Sequence, residues 1–194
     1  SVQPSDSGFV NAVAFSPEGG LVVSAHADGS VRLWRADGKG GAMRLAGDTG
    51  ETVSVAFSPD GRWVVTAARD GTARVRRTDG AGPVVELRGH TDEVLSASFG
   101  SDGERVVTAS RDGSARVWSW RAQPQALTLQ RRAGAVQALA FSPRGEHLAT
   151  AHADGTAAVW RLGDADPVLL KGHGAEVRTV AFSPEGDRVV TASV

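Results

Sequence analysis

The sequence of 194 residues contains no cysteine and no tyrosine, and only one methionine. Without cysteine the chain has no disulfide bond, no thiolate nucleophile and no cysteine-ligated zinc site. Its apolar runs all fall short of the roughly 18 residues that a membrane-spanning helix requires. Disulfide frameworks and cysteine-dependent catalysis are therefore excluded. We expect no membrane partner, and we expect the chain in the cytoplasm.

An excess of charge of either sign is also missing. The sequence has 21 Lys+Arg against 22 Asp+Glu, for a formal net charge of −1. The charges are spread evenly, because residues 1–97 carry 10 basic and 12 acidic groups while residues 98–194 carry 11 and 10. Binding to nucleic acid relies on a concentrated basic surface that neutralises phosphates. We therefore expect no nucleic-acid partner.

What the sequence does contain is a repeat. One phenylalanine recurs at intervals of 42, 42, 42 and 41 residues, as Phe15, Phe57, Phe99, Phe141 and Phe182. Four of the five copies read Phe-Ser-Pro-x-Gly, and an Asp-Gly pair follows the first four phenylalanines after thirteen residues. Self-similarity at a fixed period of this length is typical of repeat architectures, so the repeat decides the fold.

Each copy divides into four short apolar stretches bounded by glycine, proline or aspartate. In the third copy they are Val94–Phe99, Arg105–Ala109, Ser114–Trp118 and Ala126–Leu129. Stretches this short, rich in valine and threonine, predict strands joined by turns, and four antiparallel strands in about 42 residues predict one propeller blade. We expect an all-β, open or partial β-propeller, with four complete blades and two strands of a fifth: residues 9–46, 51–88, 93–130, 135–171 and 176–194.

These motifs resemble those of the WD-repeat β-propeller family, over essentially the whole chain. The family pattern is Gly-His before the first strand, Ser or Thr in the second, Asp in the next turn and Trp closing the third. The third copy has all of it, with Gly89-His90, Thr108, Asp112 and Trp118. The other copies keep part of it: Ser24, Asp28 and Trp34; Thr66 and Asp70; Thr150, Asp154 and Trp160; His173 and Thr191.

The resemblance implies that these residues form a hydrogen-bonded network inside each blade, a structural role rather than a catalytic one. Imidazole, carboxylate, hydroxyl and indole groups supply matching donors and acceptors for such a network. The copies depart from the family at four places: Asp6, Asp48 and Arg132 replace the histidine, and Arg76 replaces the tryptophan. Catalytic residues are not expected, although a His, Thr and Asp set superficially resembles a catalytic triad.

In the family, the residue just before the turn aspartate commonly contacts partners. Here Arg69 and Arg111 take that position in adjacent blades, and His26 and His152 stand one position earlier in two other copies. The four side chains predict a small cationic patch for a carboxylate- or phosphate-bearing partner. Two alternatives remain open. The charges are solvated without a dedicated partner, or acidic residues near the first strands neutralise them: Glu51, Asp92, Glu93 and Glu176.

Metal and cofactor chemistry is not expected. No His-x-x-x-His spacing or calcium-loop pattern occurs, and the glycine-rich turns lack the Gly-Lys-Ser/Thr ending of a phosphate cradle. Trp63 and Trp120 lie outside the family positions and are interpreted as packing residues.

The leading hypothesis is a non-catalytic scaffold for protein–protein interaction. The repeats resemble those of bacterial multidomain signalling proteins, which suggests a fragment of a longer chain. Expected partners are other proteins or peptides, further blades of the same parent chain, or a second copy. A ligand-binding or hydrolytic propeller is one alternative, although the first strands offer few catalytic side chains. An oligomerising structural fragment is the other.

Overall fold

The apolar stretches fold as antiparallel strands throughout the part of the chain that the structure describes. The computed structural model describes residues 9–45, 49–121, 124–130, 134–162, 164 and 166–194. The sheets, called blades 1 to 5 in chain order, have the following strands. Blade 1 contains β1 (Val10–Phe15), β2 (Leu21–His26), β3 (Val31–Arg35) and β4 (Met43–Leu45). Blade 2 contains β5 (Thr52–Phe57), β6 (Trp63–Ala68), β7 (Ala73–Arg77) and β8 (Val85–Leu87). Blade 3 contains β9 (Val94–Phe99), β10 (Arg105–Ser110), β11 (Ser114–Ser119) and β12 (Gln125–Gln130). Blade 4 contains β13 (Val136–Phe141), β14 (His147–His152), β15 (Ala157–Arg161) and β16 (Val168–Leu170), and blade 5 contains β17 (Val177–Phe182) and β18 (Val189–Ser193).

The prediction of an all-β, open propeller is therefore confirmed. Within each sheet, consecutive strands pair in an antiparallel meander. The first strands of successive blades contact one another in the order β1, β5, β9, β13 and β17, and the series does not close. No helix in the described ranges is long and apolar enough to cross a membrane.

The Asp-Gly pairs make the turn between the second and third strand of blades 1 to 4. In blade 3, the Asp112 carboxylate accepts the backbone N–H of Ser114 at 2.9 Å, and Gly113 has a φ of 82°. A positive φ is free of steric cost only for glycine, and an aspartate that accepts an N–H two residues later fixes the turn. The repeated dipeptide thus sets where each second strand ends.

The core lies between the blades, because each sheet covers the face of the next. The second strands are the most buried; β6, for example, contains Val64 and Val65, both without exposed surface. Strands covered on both faces have no solvent side, which explains why the second strands are mostly apolar and why their few buried polar side chains are small or hydrogen-bonded.

Two tryptophans join blades 2 and 3. The rings of Trp63 and Trp120 meet edge to face with centroids 4.8 Å apart, and Phe99 packs on Trp120 at 5.9 Å. Trp120 is buried, and its indole N–H donates to the Gly103 carbonyl at 3.1 Å. The Arg121 guanidinium lies 4.5 Å from the Trp120 ring centroid. Both tryptophans contribute to packing between blades, as their positions outside the repeat pattern suggested.

Candidate functional site

The His, Thr, Asp and Trp of blade 3 form one chain of hydrogen bonds. The Trp118 indole N–H donates to Thr108 Oγ1 at 2.9 Å. Thr108 Oγ1 lies 2.7 Å from His90 Nε2, and His90 Nδ1 lies 2.9 Å from Asp112 Oδ2. The His90 side chain has no exposed surface. When the imidazole proton is on Nδ1, every N–H and O–H group in this series of hydrogen bonds has an acceptor.

In this series of hydrogen bonds, the shifts in pKa favour a neutral His90 beside an ionised Asp112. Burial lowers the pKa of His90 below its ordinary value of 6.5, although Asp112 opposes the shift. Burial also acts to raise the pKa of Asp112, but hydrogen bonds from Ser114 and His90 outweigh it and lower that pKa to about 2. The hydroxyl of Thr108 is buried and shared with an indole, so it faces no space in which a substrate could be attacked.

In blades 1 and 4 the histidine of the network comes from another position. His26 Nε2 lies 2.9 Å from Ser24 Oγ, which also accepts the Trp34 indole N–H at 3.0 Å. In blade 4, His152 Nε2 lies 2.9 Å from Thr150 Oγ1, and Trp160 donates to the same hydroxyl at 2.9 Å. The turn aspartates of both blades accept backbone N–H groups, as in blade 3: Asp28 from Ser30 and Asp154 from Thr156.

The prediction that His26 and His152 belong to an exposed cationic patch is therefore wrong. Only 3% of His26 and 1% of His152 is exposed. Each follows its Ser or Thr by two residues on the second strand, so both side chains project from the same face of the strand into the blade. The sequence signal was available: these histidines occur in the two copies that have Asp6 and Arg132 at the Gly-His position. Asp6 and Arg132, like Asp48 in the second copy, lie outside the described residues.

Blade 2 builds the same network with arginine. The Arg76 guanidinium takes the place of the indole and donates to Thr66 Oγ1 at 3.1 Å. The turn aspartate, Asp70, accepts the Thr49 hydroxyl at 2.8 Å and Arg74 Nη2 at 2.7 Å. Arg74 and Arg76 are both buried. Blade 5 contributes a partly exposed pair, in which His173 Nε2 lies 2.8 Å from Thr191 Oγ1.

Arg69 and Arg111, which were predicted to contact partners, lie in adjacent blades. They stand at the edge formed by the turns between the second and third strands and the segments that lead into the first strands, which we call the rim. Both form ion pairs with carboxylates of the chain itself. Arg69 Nε lies 2.8 Å from Glu51 Oε2, and Arg69 Nη1 lies 3.0 Å from Glu93 Oε2. Arg111 Nη2 lies 3.5 Å from the same oxygen of Glu93. The Glu51 carboxylate also accepts the Asn11 amide at 3.0 Å, so a line of polar contacts crosses blades 1, 2 and 3. We call the five side chains Asn11, Glu51, Arg69, Glu93 and Arg111 the rim ladder.

The rim ladder is exposed enough to meet a partner. The side chains of Arg69 and Arg111 are 43% and 53% exposed, against 22% for Glu93. The alternative raised by the sequence, that acidic residues near the first strands neutralise the arginines, thus holds for Glu51 and Glu93. Glu176, by contrast, pairs at 3.1 Å with Arg178 of β17, the strand that follows it.

One cavity lies where the segments that begin with the repeated phenylalanine meet in blades 1 to 4. It has a volume of about 530 Å³, and its lining contains phenylalanine, proline, serine and alanine, without histidine or a carboxylate. Among the described residues, no group of three or more His, Asp or Glu side chains is placed to hold a metal ion. The cavity offers apolar surface and hydroxyl groups, with no pair of groups suited to acid–base chemistry.

Comparison with known proteins identifies the repeat. The model of the family described as "WD domain, G-beta repeat" matches five segments: residues 2–35, 43–76, 81–119, 125–161 and 167–194. Together they cover most of the chain. A search of curated proteins gives no match.

Proposed function

The chain belongs to the WD-repeat family, and from this premise we propose that it is a non-catalytic scaffold that binds other proteins or peptides through its rim. WD repeats in general mediate protein–protein interaction or scaffolding. One observation carries the proposal: the polar residues that could suggest catalysis, such as His90, Thr108 and Asp112, are consumed by hydrogen bonds inside the blades. Exposed charged groups remain for recognition, and Arg69 and Arg111 on the rim are among them.

The scaffold role fits the rigidity of the blades. Each network ties the second and third strands to the turn that holds the rim arginine, so Arg69 and Arg111 are presented from a fixed backbone. Binding residues on loops that a rigid framework positions lose little conformational entropy when a partner docks. At the level of the cell, we propose that these blades form part of a larger bacterial signalling protein in the cytoplasm.

A photo-crosslinking experiment tests the rim as the binding surface. A crosslinking amino acid is placed at Asp92 on the rim or at Ala81 in an outer loop, both exposed, and captured proteins are identified from each site. We expect a defined partner at Asp92 alone. Capture should disappear in the Arg69→Glu, Arg111→Glu double variant, because the reversed charges repel an acidic partner.

The matched control reverses two arginines outside the rim, Arg35→Glu and Arg77→Glu, which pair with aspartates in outer turns. This control should capture as well as the unchanged chain. Equal capture by the rim variant and the control variant would contradict the proposal.

A second candidate, self-association through the open end of the series, rests on the exposed face of blade 1. Val13 is 65% exposed, whereas its equivalents Val55, Ala97, Leu139 and Val180 are all buried against a preceding blade. Phe9, Val10 and Phe15 are exposed beside it. A contiguous apolar surface of this kind favours contact with another blade, from a second copy or from the same parent chain. Light scattering across a concentration series tests it, since a constant monomer mass would contradict self-association.

A further inference from the structure

The backbone shows that the rim positions of blades 2, 3 and 4 are structurally equivalent. In each blade, the residue before the turn aspartate donates its N–H to the carbonyl of the residue that leads into the first strand. The pairs are Arg69 to Glu51 at 3.0 Å, Arg111 to Glu93 at 2.9 Å and Ala153 to Ala135 at 3.0 Å. Because the backbone is the same, differences between these blades at the rim come from the side chains.

At Arg69, the rim position has a carboxylate on each side of the guanidinium. Its guanidinium lies between two carboxylates, Glu51 of its own blade and Glu93 of the next blade. The two contacts use different nitrogens, Nε and Nη1. An arginine has five N–H donors in a fixed plane, and at Arg69 two of its three nitrogens each lie against a carboxylate supplied by the chain itself.

Arg111 lacks the second carboxylate. Among the described residues its ion pair is with Glu93 of its own blade, at 3.5 Å. The position in blade 4 that corresponds to Glu93 is Ala135, which has no acceptor in its side chain. The side chain of Arg111 is more exposed than that of Arg69.

We propose that Arg111, with the small residues of the blade 4 rim, is a docking site for a glutamate or aspartate side chain of a partner protein. This proposal rests on the proposed function. The incoming carboxylate takes the place on Arg111 that Glu93 takes on Arg69. Arg69 is not part of the site, because the chain itself already supplies a carboxylate on each side of its guanidinium.

By the equivalence of the blades, Arg111 faces the rim of blade 4 as Arg69 faces that of blade 3. On the blade 4 rim, Gly134 and Ala153 are exposed and lie next to each other, and Ala135 is half-buried. None of the three has a side chain longer than a methyl group, so the backbone of a partner can approach closely. An acidic residue is favoured over a neutral one because a charge-assisted pair with arginine is stronger than a neutral hydrogen bond.

The test follows the side-chain Nε–Hε signals of the ¹⁵N-labelled chain during titration with an acetylated, amidated tetraglutamate peptide. Tetraglutamine and inorganic phosphate, at matched ionic strength, are the comparison probes. We expect a saturable shift of the Arg111 signal with tetraglutamate, little change at Arg69, and no saturable response to tetraglutamine. A stronger response to phosphate would overturn the assignment to a carboxylate.

The decisive variant is Ala135→Glu, which supplies the missing carboxylate from within the chain. It should weaken tetraglutamate binding by about tenfold or more, as Arg111→Gln should, because both remove the free donors. Ala42→Glu adds the same charge in an exposed outer loop and should leave binding unchanged. Equal shifts at Arg69 and Arg111, or unchanged binding by Ala135→Glu, would overturn the proposal. A partner crosslinked at Asp92 that Ala135→Glu still captures would overturn this site alone and leave the scaffold function in place.

Discussion

At the scale of single residues, the blades solve one hydrogen-bonding problem with different side chains. The hydroxyl of the second strand accepts a hydrogen bond from a side chain of the third strand, and in blades 1, 3 and 4 it also contacts a histidine. His90 reaches it from the residues before the first strand, whereas His26 and His152 reach it from the second strand itself. In blade 2 an arginine replaces the indole. The network is therefore defined by its donors and acceptors, and less by the positions that supply them.

This equivalence predicts that His152 is a stabilising residue. His152→Ala should lower the free energy of unfolding by about 1–3 kcal/mol, because it deprives the buried Thr150 hydroxyl of a partner and leaves a cavity. Urea denaturation measures the change. His147→Ala, at a half-buried position that opens the same strand, is the control and should cost less than about 0.5 kcal/mol. Equal losses in the two variants would contradict the structural role.

The pair His90 and Asp112 predicts a loss of stability in acid. Because the pKa of His90 is lowered, the folded chain binds fewer protons than the unfolded chain below pH 6.5, and the free energy of unfolding falls as the pH decreases through this range. The stabilisation from Asp112 is present above pH 3.8 and is lost as the pH falls towards 2, at most about 2 kcal/mol. Urea unfolding between pH 7 and about pH 2 measures both.

The control for this pH dependence is His90→Gln, which keeps polar atoms at the site but does not titrate. In this variant the loss of stability between pH 6.5 and pH 5 should be smaller than in the unchanged chain. A free energy of unfolding that rises from pH 7 to pH 5 would contradict the assignment of a neutral, buried His90.

At the scale of strands and blades, much of the fold was predictable because the repeat copies the turn residues along with the apolar pattern. The strands expected in the third copy begin and end within one residue of β9, β10, β11 and β12. The buried histidines and the ion pairs of the rim were harder to predict from the sequence. Which side chains meet across two blades depends on how the sheets stack, and a pattern within one copy does not contain this. Glu93, for example, joins arginines of two blades.

The tryptophan pair predicts how strongly blades 2 and 3 are joined. Trp120→Ala should lower the free energy of unfolding by about 3–5 kcal/mol, since it opens a cavity among Trp63, Phe99 and the core between the blades. Arg121→Ala removes a cation–π contact at a half-exposed side chain and should cost about 0.5–1 kcal/mol. Thermal unfolding of both variants measures the difference. If Trp120→Ala lowers the free energy of unfolding no more than Arg121→Ala does, the tryptophan pair is not the main contact between blades 2 and 3.

At the scale of the whole molecule, stability should be graded along the series of blades, because each blade is covered by its neighbours. β6 and β10 have a blade on either side, whereas β1 and β18 belong to the outermost sheets. In such arrays the opening free energy of a repeat depends on its interfaces. We expect the slowest amide hydrogen exchange in β6 and β10 and the fastest in β1 and β18, measured by mass spectrometry of peptides. Equal protection along the series would show that the blades unfold as one unit.

The edge-to-face contact of Trp63 and Trp120 also gives the molecule a built-in optical signal. Two indoles whose centres lie 4.8 Å apart at a fixed angle should couple their intense far-ultraviolet transitions and give a paired positive and negative band in circular dichroism. Since the chain has no tyrosine, the aromatic signal comes mainly from its five tryptophans. Separation of blades 2 and 3 should therefore be visible as loss of this band, without any label attached to the protein.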